Sequence, residues 1–580
     1  MEYKWIKDNI HGYIKIEKDF LKIVNTPEFQ RLKWIEQGSF RVLYPSARHD
    51  RFIHSLGVFG LARECFDALM ENLQKDLGLK LETSPVETWK YTFLYAALLH
   101  DVGHAPFSHT CERFFAEAAD KDSENLLSDE AKRIIEKVNK NAVHKCDIHE
   151  LKKTEVDLLN AYIKCGRIGE EQIEGFVRDF LMDKSGINPK THEVISATIL
   201  LEKYEDFLAG TYLYDKIDLN TAARMVIGCT YYYGDDAEKY GIENVLIRLL
   251  NSSFLDVDKL DYIIRDTKMS GYDNASLDIK RLLGSVTAIR KKDGGIFPAY
   301  DKKVLSTIDN LFRAKQQENM WMISHPVVEY EKRLIIACIQ EYSEVMPGYK
   351  ECIFTKEALS QEGTLYNEGT TYVLLSDIDI LCDIKTLWKS NYPVIDEYFN
   401  SNLRKHPLWK SLYEYRNFWE ENKYNISLER VYDFFCPLMQ YLDVNNIFTL
   451  NENVYNRILK ENEYKIVNAA GIFKKLVDKF QIEFSFSIWS MKNDFVTGVD
   501  EKNIYVYFDN DISDQKYRTY YELSGKNIKD ERNEVHESKK FFYIYSRDKF
   551  TTEQIRMFVE STIEEINKEA SEKPGKKERV

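Results

Sequence analysis

An apolar run, "YTFLYAALL" (91–99), passes without a break into "HDVGHAPFSH" (100–109). That junction limits the folds open to this chain more than any other stretch. The run reads as a nearly all-apolar helix over about 88–100, which needs a packed interior to cover it. It must stop in the next turn, because Gly103 lowers helix propensity and Pro106 cannot continue the hydrogen-bond ladder. A buried helix therefore ends in a turn carrying His100, Asp101, His104 and His109, in a chain with only 12 histidines among 580 residues. His–Asp pairs also arise by chance, and a second one stands at His49–Asp50, so the cluster needs partners from elsewhere before it signifies chemistry.

Helical periodicity surrounds the junction. Phe52, Leu56, Phe59, Leu61, Phe66 and Leu69 recur at three- and four-residue steps, which predicts an amphipathic helix within 50–80. From about 112 to 190 the chain turns charged and helical ("SDEAKRIIEKVNK", "EEQIEGFVRDFLMD"), in the manner of an appended insertion. A long helical tract runs over 192–345, and further helices occupy roughly 375–480. Strand-like alternation then appears in "NIYVYFDN" and "KKFFYIYS", before a last helix over about 552–568. The end, "ASEKPGKKERV", reads as disordered. The expected fold is mainly α: a helical core over 1–350 with its insertion, a helical extension over 351–425, and a smaller C-terminal α+β region over 426–580. That last region carries no readable motif and would suit regulation or assembly.

Composition excludes several classes. With 44% hydrophobic, 30% charged and 13% aromatic residues the chain has the makeup of a soluble globular protein. A net charge of −14 argues against nucleic-acid binding through bulk charge, though it permits a local basic pocket. Nine cysteines without a CxxC pair read as reduced thiols, not a disulfide framework. The start, "MEYKWIKDNIHGYIKIEKDF", has charges where a signal peptide needs an apolar core, and "YTFLYAALL" is far too short to span a bilayer. The expectation is a cytoplasmic protein with no membrane partner. "LSGKN" (523–527) lacks the upstream glycine and the following Ser/Thr of a phosphate-binding loop.

An imidazole beside a carboxylate suits a divalent ion of the Zn, Fe or Mn class, which wants four to six ligands and an open position. His54 lies on the amphipathic helix, with Gly57 nearby to permit close packing. Asp258 lies in "FLDVDKLDYIIRD", where Asp258, Tyr262 and Arg265 share a helix face at i, i+4 and i+7. His54, His100, Asp101 and Asp258 would together offer two neutral nitrogens and two anionic oxygens. The bland alternative is a set of satisfied polar groups in the core, but buried ionisable clusters without partners are costly.

Six motifs then narrow the reading: "DNIHGYI" (8–14), "NTPEFQRLKWIEQ" (25–37), "RFIHSLGV" (51–58), "HDVGHAPFSH" (100–109), "THE" (191–193) and "DVDKLDYIIRD" (256–266). In this order they resemble the HD-domain dNTP triphosphohydrolases, with similarity to the animal members and to the bacterial dGTPase-like ones. The resemblance covers roughly 1–110 and 190–345, and more weakly extends to about 420. It implies an HD-domain core and one divalent metal, with Mn, Fe, Zn, Mg and Ni all suited, on His54, His100, Asp101 and Asp258. It implies catalytic roles for His104, His109 and His192, in a reaction where a metal-activated water attacks the α-phosphorus. The products would be a deoxynucleoside and inorganic triphosphate.

A leaving 5′-alkoxide needs a proton, which a histidine titrating near neutral pH can supply. We assign that role to His109, with Glu112 orienting its ring, His104 and His192 contacting phosphates and Glu193 as support. By the same resemblance Arg51 and Lys259 match phosphate contacts, Tyr262 and Asp266 match contacts to the sugar and its 3′-hydroxyl, and Gln37 matches a further sugar contact. The family also implies a homo-oligomer, often a tetramer, a dNTP substrate and a nucleotide activator. Control of dNTP pools or defence against phage fits such a reaction.

Two features depart from the pattern. Gly38 stands where animal members carry a leucine that crowds the 2′ position, so that means of excluding ribonucleotides is missing. Asn25 and Lys33 replace the aspartate and arginine that read guanine there, while Gln30 keeps the glutamine, and asparagine cannot offer guanine a carboxylate. The remaining groups read as structural: Asp256 and Asp261 as helix polar residues, His144, Cys146 and His149 as an incidental surface grouping, and His49–Asp50 as lying at a substrate mouth or on the surface. Two other functions compete, a phosphodiesterase or nucleotidase of the same metal class and a nucleotide-sensing protein with a vestigial site.

Overall fold

The computed structural model describes residues 2–76, 83–117, 126–140, 142, 144–182, 189–232, 239–252, 255–272, 277–291, 294–367, 369–420, 426–461, 463–480, 487–490, 504–508, 516–524 and 541–571. They form two compact units, each assembled from separated stretches of chain. The first comprises Met1–Glu318, Gly348–Leu381 and Thr497–Gly525, and the second Asn319–Pro347, Cys382–Val496 and Lys526–Val580. Both are mainly helical, as the periodicity predicts.

Six helices of the first unit carry or brace the candidate residues: α1 (Arg51–Asp76), α2 (Thr83–Leu99), α3 (Glu112–Glu117), α4 (Thr191–Leu208), α5 (Val257–Ser270) and α6 (Leu305–Glu318). Every residue of α2 from Phe93 to Leu99 is sealed from solvent, so this helix is the centre of the unit and α1 packs along it. Its end is set as expected, with a turn beginning at His100. Gly103 has a second reason to be glycine: a Cβ there would sit 2.5 Å from the amide nitrogen of Ser196 on α4. Its own N–H donates to Ser196 Oγ at 2.9 Å, which fastens the turn to α4. Gly57 serves α1 in the same way, because its missing Cβ leaves the space that the Asp261 and Arg265 side chains of α5 occupy.

Three expectations need correction. The tract over 192–345 is not helical throughout: β3 (Val286–Arg290) and β4 (Ile296–Asp301) form an antiparallel hairpin, turning near Gly294 at a φ of 88°. The apolar run "VTAI" is too short to cover a helix face, and the glycine pair favours a turn. A strand at Tyr505–Tyr507 pairs parallel to β4, so "NIYVYFDN" belongs to this unit's sheet. The chain also opens on a hairpin, β1 (Tyr3–Asp8) with β2 (Gly12–Glu17), where Gly12 takes a φ of 79°. Finally, the charged stretch after residue 112 is packed in, not appended. Helix Lys153–Lys164 lies against α4, and Ile134, Ile135, Val138, Val156, Leu159 and Tyr162 are buried at helical spacing beneath the charges.

The second unit gathers an aromatic core around Trp409, Tyr415, Trp419, Phe435 and Phe542. The strand at Phe542–Ser546 pairs antiparallel with Ser487–Ser490 and His406–Pro407, and the last helix, Thr552–Ser571, packs on Tyr464–Lys479. Residues 572–580, in the stretch read as disordered, lie outside the described residues. Among the described residues no helix is long and apolar enough to cross a membrane.

Candidate metal centre and active site

The end of α2, the start of α1 and the first turns of α4 and α5 bring the candidate residues of the sequence together. His54 is sealed from solvent, and His100 and Asp101 are nearly so. His54 Nε2 lies 3.0 Å from Asp258 Oδ1 and 3.5 Å from Asp101 Oδ2. His100 Nε2 lies 3.5 Å from Asp101 Oδ1 and 3.6 Å from Asp258 Oδ1. Ligands held about 2.1 Å from a first-row ion stand roughly 3–3.4 Å apart. His54, His100 and Asp101 offer donor atoms that all lie within 4.8 Å of one another, and Asp258 Oδ1 stands beside both imidazoles.

The tautomers fit the same purpose. His100 Nδ1–H donates to the Ala97 carbonyl at 2.9 Å, which leaves Nε2 with a lone pair, buried and without a hydrogen-bond partner. His54 Nδ1–H donates to Asp261 Oδ2 at 2.7 Å, the carboxylate–histidine arrangement that orients a metal ligand. Asp261 is in turn held by Arg265, through Nε at 2.8 Å and Nη2 at 2.9 Å, and by His11 Nε2 at 2.5 Å. Arg265 also reaches Asp8 Oδ2 at 2.9 Å. Asp261, which the sequence presents as merely structural, thus positions His54, and His11 and Asp8 support it from the β1–β2 hairpin. The pair Asp261–Arg265, an i, i+4 match opposite Gly57, is the signal available for it.

The second histidine group is built differently. His104, His109 and His192 offer nitrogens that lie within 4.8 Å of one another. Glu112 ties two of them: Oε2 is 3.0 Å from His109 Nδ1, and Oε1 is 3.0 Å from both His192 Nδ1 and the His192 amide. The His104 and His192 rings are stacked, with centroids 3.9 Å apart and planes 16° from parallel. In-plane lone pairs of parallel rings run side by side and do not converge on one ion. By contrast, the His54 and His100 rings meet at 71°. Geometry therefore favours the first group for the cation. Among the described residues His144, Cys146 and His149 do not form a third such group.

Charge follows the same division. Burial alone would discharge Asp101, but Arg51 and the neighbouring histidines hold its carboxyl well below the usual range. Burial also opposes charge on His54, yet the carboxylates of Asp258 and Asp261 raise it to about 9. His104 goes the other way: burial, Arg51 and His192 keep it well below 6.5 and so neutral. Burial and Lys190 lower His109 to about 4 against the pull of Glu112, although 52% of its side-chain surface is open to water. Glu112 is driven far below its ordinary value: its burial is outweighed by His192 and His109.

The remaining candidates have partners of their own. Arg51 donates through Nη1 to Asp101 Oδ2 at 2.8 Å, through Nε to Ser108 Oγ at 2.9 Å and through Nη2 to the Gln37 carbonyl at 3.1 Å. Gln37 is buried with Oε1 unpartnered. Lys259 Nζ reaches Asp256 Oδ2 at 2.6 Å and the Ser252 carbonyl at 2.7 Å. Tyr262 presents its ring to Lys315 Nζ, 4.1 Å from the centroid, and Lys315 on α6 is lowered by burial and by the nearby Lys259 and Lys190. Asp266 is paired with His49, Nε2 to Oδ1 at 2.5 Å, so His49 is buried and does not lie on the surface. Beside it Glu318 is pushed well up by burial and by the Asp266 carboxylate. Glu193 accepts from the Lys190 amide at 2.9 Å and so closes the N-terminus of α4.

Residues 51–165 match the family described as the HD domain. Over 108 residues the chain is 43% identical to the deoxynucleoside triphosphate triphosphohydrolase SAMHD1 of Xenopus laevis, which is 18% of this chain and 16% of that protein. Over 186 residues it is 33% identical to SAMHD1 of Danio rerio, 31% of this chain and 27% of that protein. The matched parts thus span less than a third of these relatives. A phosphohydrolase of known structure from Bacteroides thetaiotaomicron shares the fold over 94% of this chain, with a TM-score of 0.51 and 17% identity. Over the HD region, then, the resemblance to the dNTP triphosphohydrolases read from the sequence is borne out.

Proposed function

From the premise that this chain carries an HD domain related to those of the dNTP triphosphohydrolases, we propose that it hydrolyses deoxynucleoside triphosphates to deoxynucleoside and inorganic triphosphate. One observation carries the reading. The Asp101 carboxylate faces His54 with one oxygen and His104 with the other, at 3.5 and 3.3 Å, so two unlike histidine groups meet on it. A metal site alone has no use for the second group, and a polyphosphate does.

His54, His100, Asp101 and Asp258 would hold one divalent ion. Once bound, such an ion supplies a Lewis acid for a phosphoryl oxygen and lowers the pKa of water toward neutrality. His104, kept neutral by burial, and the His192 ring stacked on it donate hydrogen bonds to phosphate oxygens. Lys259 and Lys315 bring positive charge to the phosphate chain, and Arg51 fixes Asp101 from behind. His109 gives its proton to the leaving 5′-oxygen, and Glu112 favours that protonated ring and sets its direction. Tyr262 packs on the sugar, while Gln37 and Asp266 take its 3′-hydroxyl, with Asp266 steadied by His49. Self-association, a nucleotide activator, a cytoplasmic setting and a part in dNTP-pool control or phage defence belong to the same reading.

The test is product identity. Metal-loaded protein given each dNTP, singly and with a second nucleotide, should release deoxynucleoside and triphosphate, resolved by chromatography. Orthophosphate or a nucleoside monophosphate would instead indicate a nucleotidase or phosphodiesterase, and no turnover with metal bound would indicate a sensor.

A further inference from the structure

The turn between His104 and His109 holds an unusual backbone. Phe107 and Ser108 both lie in the left-handed region, at φ 56° and 51°, and neither is glycine. Side-chain chirality opposes that conformation, and two in succession do not persist unless neighbours fix them. Inside the turn only Ser108 N–H to the Ala105 carbonyl, at 3.0 Å, and Thr110 N–H to the Phe107 carbonyl, at 3.1 Å, are available.

Arg51 Nε holds the Ser108 hydroxyl at 2.9 Å, and a further restraint, on the main chain, comes from a carboxylate far along the chain. Asp377 Oδ1 accepts the Phe107 N–H at 2.6 Å, and Asp377 Oδ2 accepts the Glu36 N–H at 3.0 Å. The Glu36 carbonyl accepts Ser108 Oγ–H at 2.5 Å, which closes a ring of contacts around the two strained residues. Arg31 braces the same segment, donating to the carbonyls of Val102 at 2.8 Å, His104 at 3.0 Å and Leu375 at 2.8 Å. Asp377 is only 5% exposed.

We propose that Asp377 is a positioning residue: it holds the Phe107–Ser108 turn left-handed and thereby aims His109 at the leaving oxygen. The last clause rests on the proposed reaction, whereas the grip on the turn does not. Burial pushes the Asp377 carboxyl up to about 7, with the Glu36 carboxylate adding to that and the two amide donors and Arg31 opposing it. A carboxylate kept in so unfavourable a place has its two amide donors as its purpose. The residue lies beyond the HD region, in "LLSDIDIL", and no spacing in the sequence links it to His109.

The test uses the full chain with histidine rings labelled. Asp377→Asn turns one acceptor into a donor facing an N–H, so the Phe107 and Glu36 amides should exchange faster and the His109 ring signal should move. Turnover of dNTP should fall by about 10²-fold in kcat, the scale of a 1 Å misplacement, with KM and metal content near wild type. Adding Phe107→Gly, which accepts a positive φ at no steric cost, should return the ring signal and part of the lost kcat. The proposal is overturned if Asp377→Asn leaves exchange and the His109 signal unchanged, or if kcat, KM and metal content fall together and Phe107→Gly rescues none of them. A wild-type protein that releases no triphosphate would sink the proposed reaction instead, and exchange and the ring signal would still decide the role of Asp377.

Discussion

Two histidine groups share one aspartate in this protein, and the difference between them lies in what stands behind each ring. Behind His54 and His100 are acceptors, the Asp261 carboxylate and the Ala97 carbonyl, which turn the inner nitrogens toward a common point. Behind His109 and His192 is a single carboxylate, Glu112, while His104 stacks on the His192 ring. The first group is arranged to converge on a cation. In the second, burial keeps His104 neutral and lowers His109, with a carboxylate ready to favour a proton on His109 once an anion arrives. Identical side chains thus acquire different chemistry from their supports.

The largest expected effect separates the groups. Asp101→Asn should remove bound metal and lower turnover by roughly 10³-fold or more, since several kcal/mol of charge stabilisation leave with the ion. Glu112→Gln should lower kcat by about 10²–10⁴ while metal content, measured by elemental analysis, stays at the wild-type level. Equal metal loss in both variants would erase the distinction.

A smaller effect should come from Asp261→Asn, which touches no expected ligand oxygen but orients His54. Metal affinity should weaken about 10–100-fold, read by competition with a chelating dye, with the fold retained.

The pH dependence sharpens the contrast further. His54 sits at about 9 in the metal-free protein, so at neutral pH it must lose a proton to bind an ion. Metal affinity should rise at least tenfold per pH unit toward pH 9, because the Asp101 and Asp258 carboxylates raise His100 as well, and level off above it. The proton also stabilises the metal-free fold. Its folded value lies above the unfolded one of about 6.5, so this stability is complete below about pH 6.5 and lost as pH rises to about 9, on the order of 3 kcal/mol. Thermal melts should therefore show the metal-free protein weakening over that window and the loaded protein not doing so. The smallest change expected is from Gly103→Ala, where overpacking against the α4 backbone should cost about 1–3 kcal/mol in denaturant unfolding.

Legibility in the sequence divides along the same line. His100 and Asp101 stand out because they follow a buried helix broken at Gly103 and Pro106, and His54 and Asp258 because they lie on other helices whose apolar spacing can be read. Asp261 escapes because helical spacing gives a face but not what faces it, and only the packing of α5 against Gly57 turns that carboxylate toward His54. His49 resembles a mouth or surface residue because its loop position conceals its burial against Asp266. Asp377 has no local signal at all, since its importance depends on a backbone strain 270 residues earlier that no residue type announces. The hairpin at Val286–Asp301 is lost inside a helical tract because a few apolar residues do not distinguish the two periods.

The division of labour is tested most directly by locating the metal. Crystals of the protein loaded with Mn²⁺, recorded at the manganese absorption edge, should show one anomalous peak enclosed by His54, His100, Asp101 and Asp258. A peak seated among His104, His109 and His192, with none in the first group, would contradict the account.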